Sequence, residues 1–344
     1  MPPARLIDAL QPAAQVLKRL TTITPKEIKL SVGLDIGSTS VKVVALGTRK
    51  GGGPRPVLGH NLVPLEGGQG VDASDAVKAA IGTLHLPIRT VNLSVSGQWV
   101  IMRIVEMPTM KPAEMKQALP FEAQRYLPFN VQDVVIDGEV IGPADANKTW
   151  VLIVACKKDL LERRIDWVKR AGLDVALIDV DALALANSFL AGGNGHRAEG
   201  TRALINVGAQ LTNLVIFQGE TPYLVRDIPW GGDKLIRNAA EQTGLEANAL
   251  AKELAGGAPG PELVNAVKLA SEALVTELQL SFDYFENRFG QPPEQMLASG
   301  GLGPSPVFLE ALKSHLTQTI TPWVPVSGLS AQFAVAYGLA LRAS

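Results

Sequence analysis

The sequence predicts an α/β protein made of two copies of one domain set around a cleft, with an α+β subdomain inserted into the first copy. Three observations lead there. A glycine hairpin occurs once in each half: Leu34, Asp35, Ile36, Gly37, Ser38, Thr39, Ser40, Val41, Lys42 in the first and Ile205, Asn206, Val207, Gly208, Ala209, Gln210, Leu211, Thr212, Asn213 in the second. In both, an apolar strand carries one carboxylate or amide, glycine follows two residues later, and an alternating apolar strand returns. The order of elements after the hairpin repeats as well, and only the first half is interrupted, by a segment of different texture over residues 97–172.

Taken in order, residues 1–20 lack the unbroken apolar core of a signal peptide. Leu6, Leu10, Ala13, Leu17 and Leu20 nevertheless recur at helical spacing with Arg5, Lys18 and Arg19 between them. That is an amphipathic arm, able to pack on the body, clasp a partner helix or lie on a membrane. Pro25 and its polar neighbours break the pattern, so residues 1–30 form an arm and linker. The first repeated domain takes residues 31–96 and 173–190. It opens with strand 31–36 and the hairpin, passes a flexible tip at Gly51, Gly52, Gly53 and Pro54, and continues with strand 57–65. A helix capped by Asp72 or Ser74 runs to residue 84, and strand 90–96 follows.

The insert, 97–172, reads as strand 100–107, then helix 111–127 with Met115, Leu119, Ala123 and Tyr126 on one stripe and a kink at Pro120. Paired strands 131–141 and 149–156 come next, then a helix capped by Asp159 and reaching residue 170. Strand 173–180 returns to the main sheet, and an Ala-rich helix over 182–190 connects the halves. In the second domain, 191–344, the third strand is 223–228. Trp230, Gly231, Gly232 and Asp233 lead into helix 234–244, and helix 245–255 follows. Helix 263–289 carries Leu263, Val267, Ala270, Leu274, Leu278, Phe282, Phe285 and Phe289 on one face, a stripe that packing alone explains. Strand 295–299 runs into Gly300, Gly301, Leu302 and Gly303, a turn that serves either structure or a nucleoside face. Ser305 and Pro306 open the next helix. The small residues Ala334, Ala336, Gly338 and Ala340 mark close packing between the halves.

Bulk properties narrow the function. At 344 residues and a formal charge of −1, the chain has room for two cores and no broad electrostatic footprint for nucleic acid or anionic lipid. The longest apolar stretch, near residues 173–190, is broken by Asp174, Asp179 and Asp181, which predicts no transmembrane segment. Cys156 is the single cysteine and sits in an apolar run, as a buried hydrophobe in a reducing cytoplasm would. The four histidines are scattered, so the only metal implied is one carried by a nucleotide.

The chemistry suggested by the hairpins is phosphate binding. Gly37 and Gly208 lack the Cβ that would hold backbone away from phosphate oxygens, and successive turn N–H groups then form an anion site. Asp35 would stand beside a bound metal or its water shell. Lys42, on the returning strand, reads equally as a phosphate contact or as a solvated strand residue.

These residues resemble the actin-like ATPase superfamily (ribonuclease H-like domains) and, within it, the type IV pilus assembly PilM family. The carriers are residues 33–43, then Met107, Pro108 and the run 118–129 in the insert, residues 179–185, residues 226–232, and Ser299, Gly300 and Gly301. The resemblance implies a cytoplasmic ATP-binding scaffold that reaches the inner membrane through its partners. It would dock the tail of a PilN-like membrane protein and meet other pilus platform and motor components. It also implies a site for ATP with Mg2+. Asp35, Gly37, Ser38, Thr39, Ser40 and Lys42 would line one phosphate side, with Asn206, Gly208, Ala209 and Thr212 on the other. Gly231, Gly232, Lys234 and Lys252 would border the nucleoside, and Gly300 and Gly301 its base. Two departures stand out. Asn206 replaces a common Asp, which removes charge from metal-water coordination and implies slow or absent hydrolysis. Ala249 stands where related proteins offer Glu to the ribose.

Two other functions share the fold. A small-molecule kinase would need a carboxylate as base, for which Asp179, Asp181 and Asp227 are the candidates. An FtsA-like division filament is compatible with the insert, but Arg342, Ala343 and Ser344 form no basic amphipathic tail.

Overall fold

A computed structural model describes residues 30–48, 55–67, 70–145, 147–192, 200–256 and 260–342. The amphipathic arm at 1–20, nearly all of the linker after it and the Gly-rich tip at 51–54 lie outside the described residues.

The first large sheet begins with β1 (Ser31–Ile36), β2 (Ser40–Leu46) and β3 (Val57–Pro64), all antiparallel, and is extended in parallel by β4 (Thr90–Val95) and β8 (Asp174–Val180). Its strand order is β3-β2-β1-β4-β8. The second sheet repeats that plan as β11-β10-β9-β12-β13, with β9 (Thr201–Val207), β10 (Thr212–Gln218), β11 (Thr221–Ile228), β12 (Gln295–Gly300) and β13 (Thr319–Pro322). The duplication inferred from two hairpins therefore extends to whole sheets. Strand β13 escaped sequence reading because four residues ending in proline carry no periodicity.

Between β4 and β8 lies a three-stranded sheet in the order β5-β7-β6, from β5 (Val100–Pro108), β6 (Val134–Pro143) and β7 (Lys148–Lys157). Helix α1 (Ser74–Gly82) belongs to the first lobe, and α2 (Pro112–Gln124) covers the small sheet and runs through Pro120. Helix α3 (Lys158–Arg170) starts directly from the end of β7, so its N-cap is Lys157 and the expected cap, Asp159, is the second helical residue. There it still faces the positive end of the helix.

Two helices tie the lobes together by exchange. Helix α4 (Asp181–Ala191) leaves the first sheet and buries Leu185, Ala186 and Phe189 against Leu204, Val215 and Phe217 of the second. The remaining helices are α5 (Gly232–Thr243), α6 (Ala247–Gly256), α7 (Pro261–Phe289), α8 (Pro306–Lys313) and α9 (Ala334–Leu341). Helix α9 leaves the second lobe and buries Ala336, Tyr337 and Ala340 against Val44 and Leu46 of the first. Burying the larger of these side chains, such as Leu185 and Phe189, is worth about 1.5–3 kcal/mol each, so the exchange is a firm base for both lobes. Both helices pass extremely close to their neighbours. A Cβ on Gly33 would lie 2.0 Å from the Ala336 carbonyl oxygen, and one on Gly338 would lie 1.7 Å from that of Ala184. Among the described residues, no helix is long and apolar enough to cross a membrane.

Candidate functional site

In open α/β sheets, ligands collect beyond the carboxyl ends of the parallel strands. Both glycine hairpins sit at such ends, following β1 and β9. They close in the same way: Gly37 N–H donates to the Ser40 carbonyl at 3.0 Å, and Gly208 N–H donates to the Leu211 carbonyl at 2.9 Å. At the first tip Ser38 is half-buried, Thr39 is exposed and Ser40 is buried. Thr39 contributes its carbonyl to Leu65 N–H.

The second hairpin is backed by two further glycine turns. Gly232 N–H donates to the Gly208 carbonyl at 2.9 Å, Asp233 N–H to that of Ala209 at 2.8 Å, and Gly301 N–H to that of Val207 at 2.9 Å. Side chains would prevent these approaches. A Cβ at Gly231 would lie 2.5 Å from the Ala209 oxygen, and at Gly300, whose φ is +85°, 2.4 Å from the Val207 oxygen. Gly208, Ala209, Gly231, Gly232, Gly300 and Gly301, far apart in sequence, thus form one backbone platform.

Of the other expected site residues, Lys42 stays at the first hairpin, its Nζ 3.2 Å from where a Gly37 Cβ would sit. Thr212 is fully buried and donates its hydroxyl to the Trp230 carbonyl at 2.8 Å, which supports the Gly231 turn from behind. Lys42 Nζ donates to Asp35 Oδ2 at 3.1 Å. Lys234 and Lys252 are exposed on α5 and α6. A groove of about 440 Å³ runs between these helices from Asp233 past Ile236 and Arg237 to Asn248 and Ala251, beside Lys252 but not lined by it.

Strand register explains the central polar residues. Asp35 pairs with Lys42 across the first hairpin, and Asn206 pairs with Asn213 across the second. An ion pair in one lobe therefore has an amide pair in the other, with Asn206 Nδ2 donating to Asn213 Oδ1 at 2.9 Å. Asn213 in turn donates to Asp227 Oδ1, and Asp227 Oδ2 accepts the Gly97 N–H, both at 2.8 Å. That last bond crosses from β11 of the second lobe to the turn after β4 of the first.

Carboxylates from both lobes are concentrated here. Burial, followed by the charge of Asp35, pushes Asp181 up to about 6; Asp227 adds to the rise, and the Ser94 and Ser96 hydroxyls oppose it. Burial also raises Asp227, against the pull of Gly97 N–H and Asn213. Asp179 is raised by burial too, although Arg342 lies 3.1 Å away. Asp179 and Asp227 thus have structural partners, while Asp181 faces Asp35 and Asp227 on one hand and the Arg164 guanidinium on the other. Cys156 is buried and its thiol is pushed up to about 12 by that burial, which makes it inert.

Sequence reading missed two contributors. Asn213 looked like one polar residue in an apolar strand, and the register alone reveals its place in the amide chain. Arg164, on α3, donates from Nη1 to the Ile36 carbonyl beside Gly37. Nothing separates it in sequence from the neighbouring surface arginine, Arg163.

The insert is also fastened to the second lobe. Glu106 of β5 pairs with Arg288 at the end of α7, and also with Lys148 at 3.1 Å. The Arg288 guanidinium lies 4.7 Å from the Trp150 ring centre, and Trp150 packs against Phe289 at 5.3 Å. On its other side, at the turn after β4, Trp99 packs against Phe129 at 5.8 Å with Lys157 Nζ above both rings.

Comparison with known proteins adds to this geometry. A family model described as type IV pilus assembly protein PilM matches residues 33–344. Among solved structures, the PilM-PilN type IV pilus biogenesis complex is 23% identical, with a TM-score of 0.78 over 90% of this chain and 97% of that one. Ethanolamine utilization protein EutJ from Carboxydothermus hydrogenoformans is 14% identical, with a TM-score of 0.57 over 93% and 92% of the two chains. A Bacteroides thetaiotaomicron protein with an actin-like ATPase fold is 8% identical, with a TM-score of 0.51 over 92% and 98%. Likenesses at these identities establish the fold: a duplicated actin-like α/β architecture.

Proposed function

The chain belongs to the type IV pilus assembly protein PilM family, and on that premise we propose that it is an ATP-binding assembly scaffold docking the tail of a PilN-like inner-membrane protein. The observation that carries the nucleotide half is the convergence of Asp35, Asp181 and Asp227 from both lobes beside two identically closed glycine hairpins. Backbone N–H groups of the hairpins would take the phosphates, and the groove between α5 and α6 would take the nucleoside. Mg2+ fits this setting through the nucleotide rather than through the protein alone. An excess of mutually repelling carboxylates favours a cation, yet among the described residues no cluster of three or more ligating side chains is arranged to hold a metal.

The partner half follows from how the insert is attached. Its chain leaves and re-enters the first lobe, while Glu106, Arg288 and Trp150 clasp it to the second. A change in lobe angle would therefore move the insert relative to the first lobe, and the exposed Trp99 beside Phe129 would serve a partner peptide docked between them. Nucleotide controls that movement only as far as it binds one lobe arrangement better than another. In the cell, such a scaffold would stand at the inner membrane by virtue of its partners. With Asn206 uncharged and hydrogen-bonded to Asn213, hydrolysis would be slow or absent.

Calorimetry tests both halves. Mg-ATP should bind, and a synthetic partner tail should bind with different affinity when Mg-ATP is present. Equal tail affinities would remove the switch and leave a static scaffold. Asp35→Asn, which keeps an acceptor for Lys42 Nζ, should weaken Mg-ATP about tenfold by removing one charged contact. Unchanged affinity would take Asp35 out of the site.

A further inference from the structure

The first hairpin's own cation, Lys42, is held by Asp35. A second cation reaches the same place from another element. Arg164 Nη1 donates to the Ile36 carbonyl, its guanidinium lies 5.2 Å from the Trp167 ring centre, and its Nε is shielded from solvent without a hydrogen-bond partner. A shielded N–H left unpaired costs about 1–3 kcal/mol, and the charges of Asp181 and Asp35, which favour the guanidinium, offset it at this place.

The geometry of one peptide plane gives the placement a purpose. The Ile36 carbonyl and the Gly37 N–H belong to the same rigid unit. Arg164 holds its oxygen end and the Ser40 carbonyl holds its nitrogen end, at 3.0 Å. Clamped at both ends, this peptide sets how Ser38 and Thr39 present the hairpin tip. Arg164 also rides on α3, which continues from insert strand β7 without a turn. On the same helix Leu161 enters the core shared by insert and lobes, and Trp167 enters the first-lobe core.

We propose that Arg164 is a positioning residue of the phosphate site, orienting the first hairpin and making α3 the route by which site occupancy is felt in the insert. This rests on the nucleotide reading above and adds a residue and a route to it.

The test uses the full chain with Mg-ATP. Arg164→Met should lower Mg-ATP affinity about tenfold or more, the size of one charge-assisted hydrogen bond. Arg164→Lys should recover most of that loss, since an ammonium can still reach one carbonyl. Rescue by Lys separates positioning from packing, because Met fills the space equally well. In the wild-type chain, Mg-ATP should raise hydrogen-exchange protection of residues 158–170, a measurement that decides the matter even if Arg164→Met does not fold. Wild-type affinity in Arg164→Met, or unchanged protection along α3, overturns the role of Arg164 alone. Failure of the wild-type chain to bind Mg-ATP overturns the nucleotide reading and this inference with it.

Discussion

Gly338→Ala should lower the thermal unfolding midpoint by roughly 4 °C, corresponding to about 3 kcal/mol for a chain of 344 residues. Helix propensity predicts the opposite sign, because Ala is favoured over Gly inside a helix by about 1 kcal/mol. Packing must win here. The added Cβ would lie 1.7 Å from the Ala184 carbonyl oxygen, 2.6 Å from its carbon and 3.2 Å from the Ser188 Cβ. Two of those three atoms are backbone, so no rotamer change relieves the contact. Helices α4 and α9 must separate, and with them the base on which both lobes rest. Gly82→Ala is the matched control, since nothing lies within 4 Å of its Cβ position. That variant should be neutral or slightly stabilised. A Gly338→Ala protein as stable as the wild type would mean that the lobes do not meet as described.

Asp181→Asn should stabilise the nucleotide-free protein at pH 7–8, with a ceiling of about 3 kcal/mol set by the rise from an ordinary 3.8 to about 6. The cause is burial first and the neighbouring Asp35 charge second. The folded state holds this proton more tightly than the unfolded chain does. Below about pH 3 the carboxyl is protonated in both states and carries no penalty. As pH rises toward 6 the unfolded chain ionises first, so stability falls, and the full penalty is present above pH 6. Asparagine removes the ionisation while keeping an acceptor for the Ser94 and Ser96 hydroxyls. The stability difference between variant and wild type should therefore be large at pH 8 and vanish near pH 3. Chemical unfolding at both pH values measures it. An equal difference at the two would show that Asp181 does not carry the strained charge in the cleft.

Much of the architecture was legible before any coordinates. Strand β1 at Ser31–Ile36, the stripe on α7 and the Ser305 cap of α8 follow from alternation, helical spacing and turn chemistry, which act within a few residues. Local rules also revealed the repeated hairpin, because the same backbone task needs glycine at the same offset in both halves. They failed where a residue's role depends on strangers in sequence. Thr212 looked like a phosphate ligand and instead serves the Trp230 carbonyl. Lys42 was an open choice until register set it opposite Asp35.

By itself, then, the amino-acid order determined the fold class, the twin hairpins and the buried stripes of α2 and α7, since periodicity and turn preference are properties of neighbours along the chain. Only the tertiary structure decided which polar groups meet: Asp227 with Gly97, Arg164 with Ile36, and Arg288 with Glu106. Those pairings depend on distance in space, and chain separation carries no information about it once two lobes fold against each other.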